Sequence, residues 1–259
     1  MKVAQSLLGL TLLTAIPWLL SEKRSHVSLR LIAVGLTIQL SVAGILFHFP
    51  VVNDLFLKLN YLVLALQEAT KAGTSFVFGY LGGAPLPFSE SFPGGSFIFA
   101  FQALPLILVM SALSSLLFYW RILPLLVQGI ARLLQKSMGI GGALGLGVSA
   151  NIFAGMIEAP LLIRPYLNQL HRSELFALMT TGMATVAGTV LALYASILGS
   201  LIPDALGHLI AASVISAPAA LSIALVMSPP AKPTLSATWN PPSDGPRSSM
   251  DAITQGTTD

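Results

Sequence analysis

The stretch Gly139–Leu170 constrains the possible fold of this chain more than any other. Its two ends are apolar, but its middle, Ser149–Pro160, contains an amide, a glycine, a carboxylate and a proline. Neither apolar end reaches the roughly 20 residues that a helix needs to cross a bilayer. We therefore predict a re-entrant hairpin of two short helices, whose irregular tip faces protein or a water-filled cavity.

The composition indicates a membrane protein. Of the 259 residues, 54% are hydrophobic and only 9% are charged, whereas soluble domains carry about 25% charged residues. The net charge of +3 is small, so we expect it to set membrane topology and expect no nucleic-acid partner. The chain has no cysteine, which excludes disulfides and thiolate metal sites. It also lacks a Ser-His-Asp set, a phosphate-binding glycine loop and clustered metal ligands, so we do not expect an enzyme.

Five apolar segments are predicted to cross the membrane: Val3–Leu20, Leu31–Phe49, Ser96–Trp120, Glu174–Gly199 and His208–Met227. The fourth is interrupted by the sequence GMATVAGT, in which glycines and β-branched residues weaken a helix. Between the second and third segments, Val51–Ala72 has the pattern of an amphipathic helix that lies in the membrane interface or packs beside the other helices. Gly73–Gly95 is rich in glycine and proline and is predicted to be a loop, with or without a short membrane-lining segment.

Basic residues predict the orientation of these segments. Lys23, Arg24 and Arg30 form the densest basic cluster, which places their loop in the cytoplasm and the N-terminus outside a bacterial-type inner membrane. Arg121–Lys136 and Arg164–Arg172 provide basic flanks on both sides of the hairpin. Both flanks are therefore predicted to be cytoplasmic, which favours re-entry over crossing.

The predicted fold is all-α, with three regions along the chain. Residues 1–120 hold the first membrane helices and the interfacial helix, and residues 121–227 hold the re-entrant hairpin and transport-type helices. Residues 228–259 are polar and rich in proline, serine and threonine. We expect them to form a disordered loop or tail.

Glu158 is the acidic residue that lies inside the hydrophobic stretches. A carboxylate at membrane depth indicates a functional site by default. It accepts hydrogen bonds from ring N–H, amide and hydroxyl donors. A role in binding a solute or a coupling ion is the preferred interpretation, and a neutral structural residue bonded to the backbone is the alternative.

Several motifs lie in and after the hairpin. They are SANIFAG at Ser149–Gly155, EAPL at Glu158–Leu161, PYL at Pro165–Leu167, SELF at Ser173–Phe176, GMATVAG at Gly182–Gly188 and SVISAPAAL at Ser213–Leu221. Together they resemble the concentrative nucleoside transporter family, whose first hairpin carries the same pattern. The resemblance covers most of the chain from about Ala72 to Pro230. It departs from the family at Met156-Ile157, where the family commonly has Gln-Thr.

The resemblance implies the first half of an inverted-repeat transporter fold and a cation-coupled nucleoside transporter. Its coupling ion would be Na+, with H+ coupling through Glu158 as the alternative. Two sets of site residues follow from it. Asn151, the Ala154 carbonyl, Thr185 and the Val186 carbonyl are similar to the sodium site of the family, and Gly155, Met156, Ile157 and Glu158 are similar to its nucleobase-binding residues. Asn151 and Thr185 also fit a role as simple caps of helix breaks.

Other functions remain open at this point. The apolar pair Met156-Ile157 suggests a different subset of nucleosides or another ring-bearing solute. A gate-type membrane domain that moves a non-nucleoside solute and a non-transporting fragment are the alternatives.

We find one hairpin and one broken helix in the sequence, so we expect a truncated N-terminal half that does not transport alone. Its expected partners are membrane lipid and either further copies of itself or a complementary C-terminal half. Ser213, Ser216 and Pro218 are interpreted as packing and kink residues outside the site.

Overall fold

A computed structural model describes residues 2–48, 50–89, 95–156, 158–198, 202, 205–230 and 246–258. These residues form twelve α-helices and no β-strand, which confirms the predicted all-α fold. The helices are α1 (Lys2–Leu19), α2 (Leu29–His48), α3 (Pro50–Phe78), α4 (Phe99–Gln102), α5 (Leu104–Tyr119), α6 (Ile122–Met138), α7 (Gly142–Asn151), α8 (Glu158–Leu162), α9 (Arg172–Ala184), α10 (Gly188–Leu198), α11 (Ala205–Met227) and α12 (Ser249–Thr258).

Three helical stretches in the described part of the chain are long and apolar enough to cross a membrane. They are Leu29–Leu46, Phe99–Tyr119 and Ala205–Met227, and α1 contains a shorter apolar stretch, Leu8–Leu19. The predicted fourth span is divided between α9, with 13 residues, and α10, with 11 residues. Each is too short to cross alone, so this span has the interruption that its glycines predict.

The predicted loop at Gly73–Gly95 is wrong at its start, because α3 continues to Phe78. Thr74 is buried, and its hydroxyl donates to the Lys71 carbonyl at 3.1 Å and to the Gly82 carbonyl at 2.8 Å. A 3₁₀ turn, Gly79–Gly82, thus folds back onto the last turns of the helix. Gly79, at φ 60°, ends α3 in the left-handed conformation that glycine adopts without strain. Glu90 and the residues up to Gly94 lie outside the described residues.

The prediction of a disordered tail is wrong for Ser249–Thr258, which forms α12. Ala252 and Gly256 are buried there. A Cβ atom on Gly256 would lie 2.6 Å from Ser115 Cβ and 2.8 Å from the Ser111 carbonyl oxygen of α5. The polar composition of this segment conceals one face of small residues that packs closely on another helix.

The chain groups into two compact units. The first, which we call the hairpin unit, comprises Met1–His48, Pro124–Ala187 and Ala211–Pro242, and the second comprises Phe49–Leu123, Gly188–Ile210 and Ser243–Asp259. This grouping differs from the sequence regions 1–120, 121–227 and 228–259, which remain a prediction about roles. The core of the hairpin unit includes the buried face of the amphipathic helix α6, namely Val127, Ala131, Leu134 and Met138, packed with residues of α7, α9 and α11.

Candidate functional site: the hairpin tip and the helix break

The predicted hairpin is present as two short helices with an irregular tip. All residues of α7 are buried, and the chain leaves helical structure after Asn151. Helical structure resumes at α8, which is followed by a 3₁₀ segment, Arg164–Gln169. A Cβ on Gly147 would lie 2.9 Å from Ile163 Cδ1 and 2.5 Å from Leu178 Cδ1. The glycine therefore lets α7 pass close to both the returning arm of the hairpin and α9.

The break that follows α9 begins at Thr185. This residue is extended, with φ −104° and ψ 157°. Its backbone N–H still donates to the Thr181 carbonyl at 3.1 Å. The next N–H, that of Val186, leaves the helix and donates to the Ser213 hydroxyl of α11 at 3.2 Å. The helical hydrogen-bonding pattern thus ends between these two residues.

The structure brings the hairpin tip and the helix break together through Asn151 and Thr185. The Thr185 hydroxyl lies 2.8 Å from the Asn151 carbonyl oxygen and 3.0 Å from the Thr181 carbonyl oxygen. The Asn151 side-chain N–H donates to the Leu178 carbonyl of α9 at 3.1 Å. Asn151 therefore contacts the helix break through its backbone carbonyl and α9 through its side chain.

Two glycines allow this close approach. A Cβ on Gly155 would lie 3.3 Å from Ala187 Cβ. A Cβ on Gly182 would lie 2.9 Å from Met156 Cβ and 3.3 Å from both the Nδ2 and Oδ1 atoms of Asn151. The tip thus lies directly against the backbone of α9 and the break, with no room for a side chain at Gly182.

The electrostatic feature of this junction is an unpaired oxygen. Asn151 is 1% exposed, and its Oδ1 atom has no hydrogen-bond partner within the described part of the chain. A buried polar atom without a partner costs about 1–3 kcal/mol. Helix capping explains the Nδ2 bond and the Thr185 bond, but it leaves Oδ1 unexplained. An amide oxygen beside a hydroxyl and broken-helix carbonyls is the donor chemistry that hard cations prefer, so these residues fit a cation.

The other predicted site residues take these positions. Ala154 is 1% exposed, and its N–H donates to the Ala150 carbonyl at 2.8 Å. Met156 is 50% exposed at the tip. Ile157 and the side chain of Glu158 lie outside the described residues. The ligand roles of the Ala154 and Val186 carbonyls, and the substrate roles of Gly155, Met156, Ile157 and Glu158, remain predictions.

Sequence reasoning missed Ser213. It is 2% exposed and is the partner of the Val186 N–H. The signal in the sequence is a hydroxyl in the middle of an otherwise apolar helix, which packing explains equally well. The contact joins residues far apart in sequence, so no local pattern reveals it.

Comparison with known proteins identifies the family and the fold of this chain. A model described as the N-terminus of Na+ dependent nucleoside transporters matches residues 8–81, and a Gate model described as nucleoside recognition matches residues 100–201. The structure of CNTnw in an inward-facing substrate-bound state is similar at 35% identity with a TM-score of 0.85, covering 100% of this chain and 59% of that chain. The chain belongs to the concentrative nucleoside transporter family. This assigns it to a family of multi-pass membrane transporters and not of enzymes, as the sequence predicts.

Two curated relatives illustrate the range of the family. Nucleoside permease NupC of Helicobacter pylori is 37% identical over 85% of this chain and 50% of its own length. Sodium/nucleoside cotransporter 2 of Rattus norvegicus is 37% identical over 85% of this chain and 31% of its own length. The chain spans about half the length of the first bacterial relatives that it matches.

Proposed function

We propose that this chain takes part in cation-coupled nucleoside transport, with Na+ as the coupling ion. The observation that carries the proposal is the buried Asn151 Oδ1, which has no hydrogen-bond partner among the described residues and lies at the contact between the hairpin tip and the helix break. The names of the relatives support the substrate class and, for the rat cotransporter, the ion. Coupling to H+ through Glu158 is the alternative.

In this proposal, Asn151 and Thr185 hold the cation together with the carbonyls of Ala154 and Val186. A bound cation would interact favourably with these oxygens, for which the neighbouring groups provide too few hydrogen-bond donors. Thr185 has one hydroxyl proton for two nearby carbonyls, so its oxygen remains available as a ligand. Cation binding then favours the conformation in which the tip lies against the helix break, because both supply ligands.

The substrate is proposed to bind at the tip through Gly155, Met156, Ile157 and Glu158. Met156 is half exposed and apolar, which suits packing against a flat ring. Glu158 would accept hydrogen bonds from the N–H or hydroxyl groups that a nucleoside offers. Because the residues at 156 and 157 offer no strong side-chain hydrogen bonds, the preferred nucleosides are expected to differ from those of relatives with Gln-Thr.

The proposed orientation places the loop after α1 in the cytoplasm of a bacterial-type inner membrane, with the N-terminus outside. Within the hairpin unit, Glu22 of this loop pairs with Arg172 at 3.1 Å, and its N–H donates to the Met227 carbonyl at 2.9 Å. The loop and the returning flank of the hairpin thus lie together, which supports the same-side prediction for these two basic clusters. A homo-oligomer, or assembly with a complementary C-terminal half, is the proposed partner state.

The proposal is tested by uptake of radiolabelled nucleosides into proteoliposomes that carry this chain together with a complementary C-terminal half, with an inward gradient of NaCl or of choline chloride. We expect saturable uptake of at least one nucleoside that depends on Na+. If an inward proton gradient in choline chloride drives equal uptake, the coupling ion is H+ and not Na+. Absence of uptake for all nucleosides under both gradients would contradict the proposed function.

A further inference from the structure

We propose that Ser213 is a positioning residue for the cation site, which it serves by fixing the backbone of the helix break. This inference rests on the proposed function, because it concerns the same cation site. Ser213 lies on α11, belongs to neither the tip nor the break, and is 2% exposed. Its hydroxyl oxygen accepts the Val186 N–H at 3.2 Å.

The first step of the argument concerns the peptide that joins Thr185 to Val186. This peptide is trans, so its C=O and N–H groups point in opposite directions. When Ser213 accepts the N–H, it also sets the direction of the Thr185 carbonyl. Only the torsion angles of Val186 itself then separate this fixed plane from the Val186 carbonyl.

The second step concerns the other side of Thr185. Its N–H and hydroxyl both contact the Thr181 carbonyl, and its hydroxyl reaches the Asn151 carbonyl of the tip. Thr185 is thus held by α9 and the tip on one side and, through the following peptide, by Ser213 on the other. Removal of the Ser213 oxygen frees one of these restraints while the cation ligands themselves remain.

The third step concerns the rigidity of α11 as a support. Ala217 and Leu221 are 0% exposed. Gly35 of α2 lies so close to Ser222 that a Cβ at Gly35 would overlap the Ser222 side chain. A helix fixed in this way holds its serine oxygen in place, and a preorganised break binds a cation more tightly than one that samples other conformations.

The test is a thermal-melting titration of the purified protein, in which NaCl replaces choline chloride at constant ionic strength. A ligand that binds only the folded state stabilises it by RT ln(1 + [L]/Kd), so a fit of the melting temperature against Na+ concentration yields the Kd, which is the half-saturating Na+ concentration. We expect Ser213→Ala to raise this concentration about three- to tenfold, the range that corresponds to one net hydrogen bond. Ser213→Thr retains the oxygen and is expected to stay near the wild-type value.

Ser137→Ala is the matched control. Its hydroxyl donates to the Leu133 carbonyl of its own helix, α6, at 2.6 Å, so its loss is expected to leave the half-saturating Na+ concentration unchanged. A merely structural role for Ser213 would lower the melting temperature in NaCl and choline chloride alike, without changing that concentration. If Ser213→Ala does not fold, Ser213→Cys, with a similar size and a weaker acceptor, is expected to raise the concentration by a smaller factor.

Two outcomes would overturn the inference, and they differ from each other. If the wild type responds to Na+ and both Ser213→Ala and Ser213→Cys respond at the same concentration, Ser213 does not position the site, although the proposed function stands. If the melting temperature of the wild type is the same in NaCl and in choline chloride, both the proposed Na+ site and the role of Ser213 are contradicted.

Discussion

Gly182 in α9 and Gly256 in α12 both allow a neighbouring segment to occupy the space that a Cβ atom would fill. The two glycines differ in the kind of atoms that lie there. At Gly256 the nearest atoms are Ser115 Cβ, the Ser111 carbonyl oxygen and Ala112 Cα. At Gly182 they are Met156 Cβ and the two polar atoms of the Asn151 amide, one of which has no partner in the described structure. Close approach by glycine serves packing in the first region, whereas in the second it also surrounds an amide oxygen that has no hydrogen-bond partner among the described residues.

The largest difference between the two regions is expected when each glycine is replaced by alanine in a separate variant. In Gly182→Ala the new Cβ would meet Met156 Cβ at 2.9 Å, so the tip must move away from the break. This cost outweighs the gain of about 1 kcal/mol that alanine offers inside a helix. We expect at least about a tenfold rise in the half-saturating Na+ concentration in thermal melting.

The matched variant, Gly256→Ala, meets two backbone atoms and a Cβ at 2.6–3.0 Å. Overpacking of this kind costs typically about 1–3 kcal/mol, so we expect a lower melting temperature and an unchanged response to Na+. The reverse pattern, with Na+ affinity sensitive to Gly256 and insensitive to Gly182, would contradict the distinction between the two regions.

The second prediction compares acidic residues in the same two regions. Glu158→Gln at the tip is expected to reduce nucleoside uptake at least about tenfold, because a charge-assisted hydrogen bond is stronger than a neutral one by about this amount. Asp251→Asn is the control, because Asp251 accepts a hydrogen bond from the Arg247 N–H at 2.8 Å at the start of α12. This variant is expected to change only the stability of the protein. Uptake is measured after normalisation to the amount of protein in the membrane. Unchanged uptake by Glu158→Gln would return Glu158 to a structural role.

A smaller effect is expected from restoring polar groups at the tip. The double variant Met156→Gln, Ile157→Thr adds two hydrogen-bonding groups next to the proposed nucleobase surface. Because a site that must satisfy its polar groups discriminates more strongly, the order of preference among labelled nucleosides should change. Met250→Gln, at a residue 73% exposed on α12, controls for a general effect of glutamine. An identical preference profile in the double variant would place both side chains outside the binding site.

The sequence predicted the features that depend on local pattern. The hairpin follows from two apolar ends too short to span a bilayer on either side of Ser149–Pro160, and the broken helix follows from the glycines and β-branched residues of Gly182–Thr189. Both occur at these positions.

The features that depend on distant contacts could not be predicted. Gly73 does not end α3, because Thr74 bonds to a turn eight residues later. The polar C-terminal segment forms α12, because its small residues fit a small-residue face of α5. Ser213 contacts Val186 from 27 residues away. In each case a tertiary contact overrides what composition or local propensity favours.

The central claim, that the tip and the break hold a cation at Asn151, is tested most directly by Asn151→Ala. The measurement is the melting temperature of the purified protein in NaCl and in choline chloride at equal ionic strength. Ser149→Ala is the control, since Ser149 is equally buried in α7 but donates to its own helix at 2.7 Å. We predict that Na+ stabilises the wild type and Ser149→Ala but does not stabilise Asn151→Ala. Equal stabilisation of all three proteins by Na+ would contradict the claim.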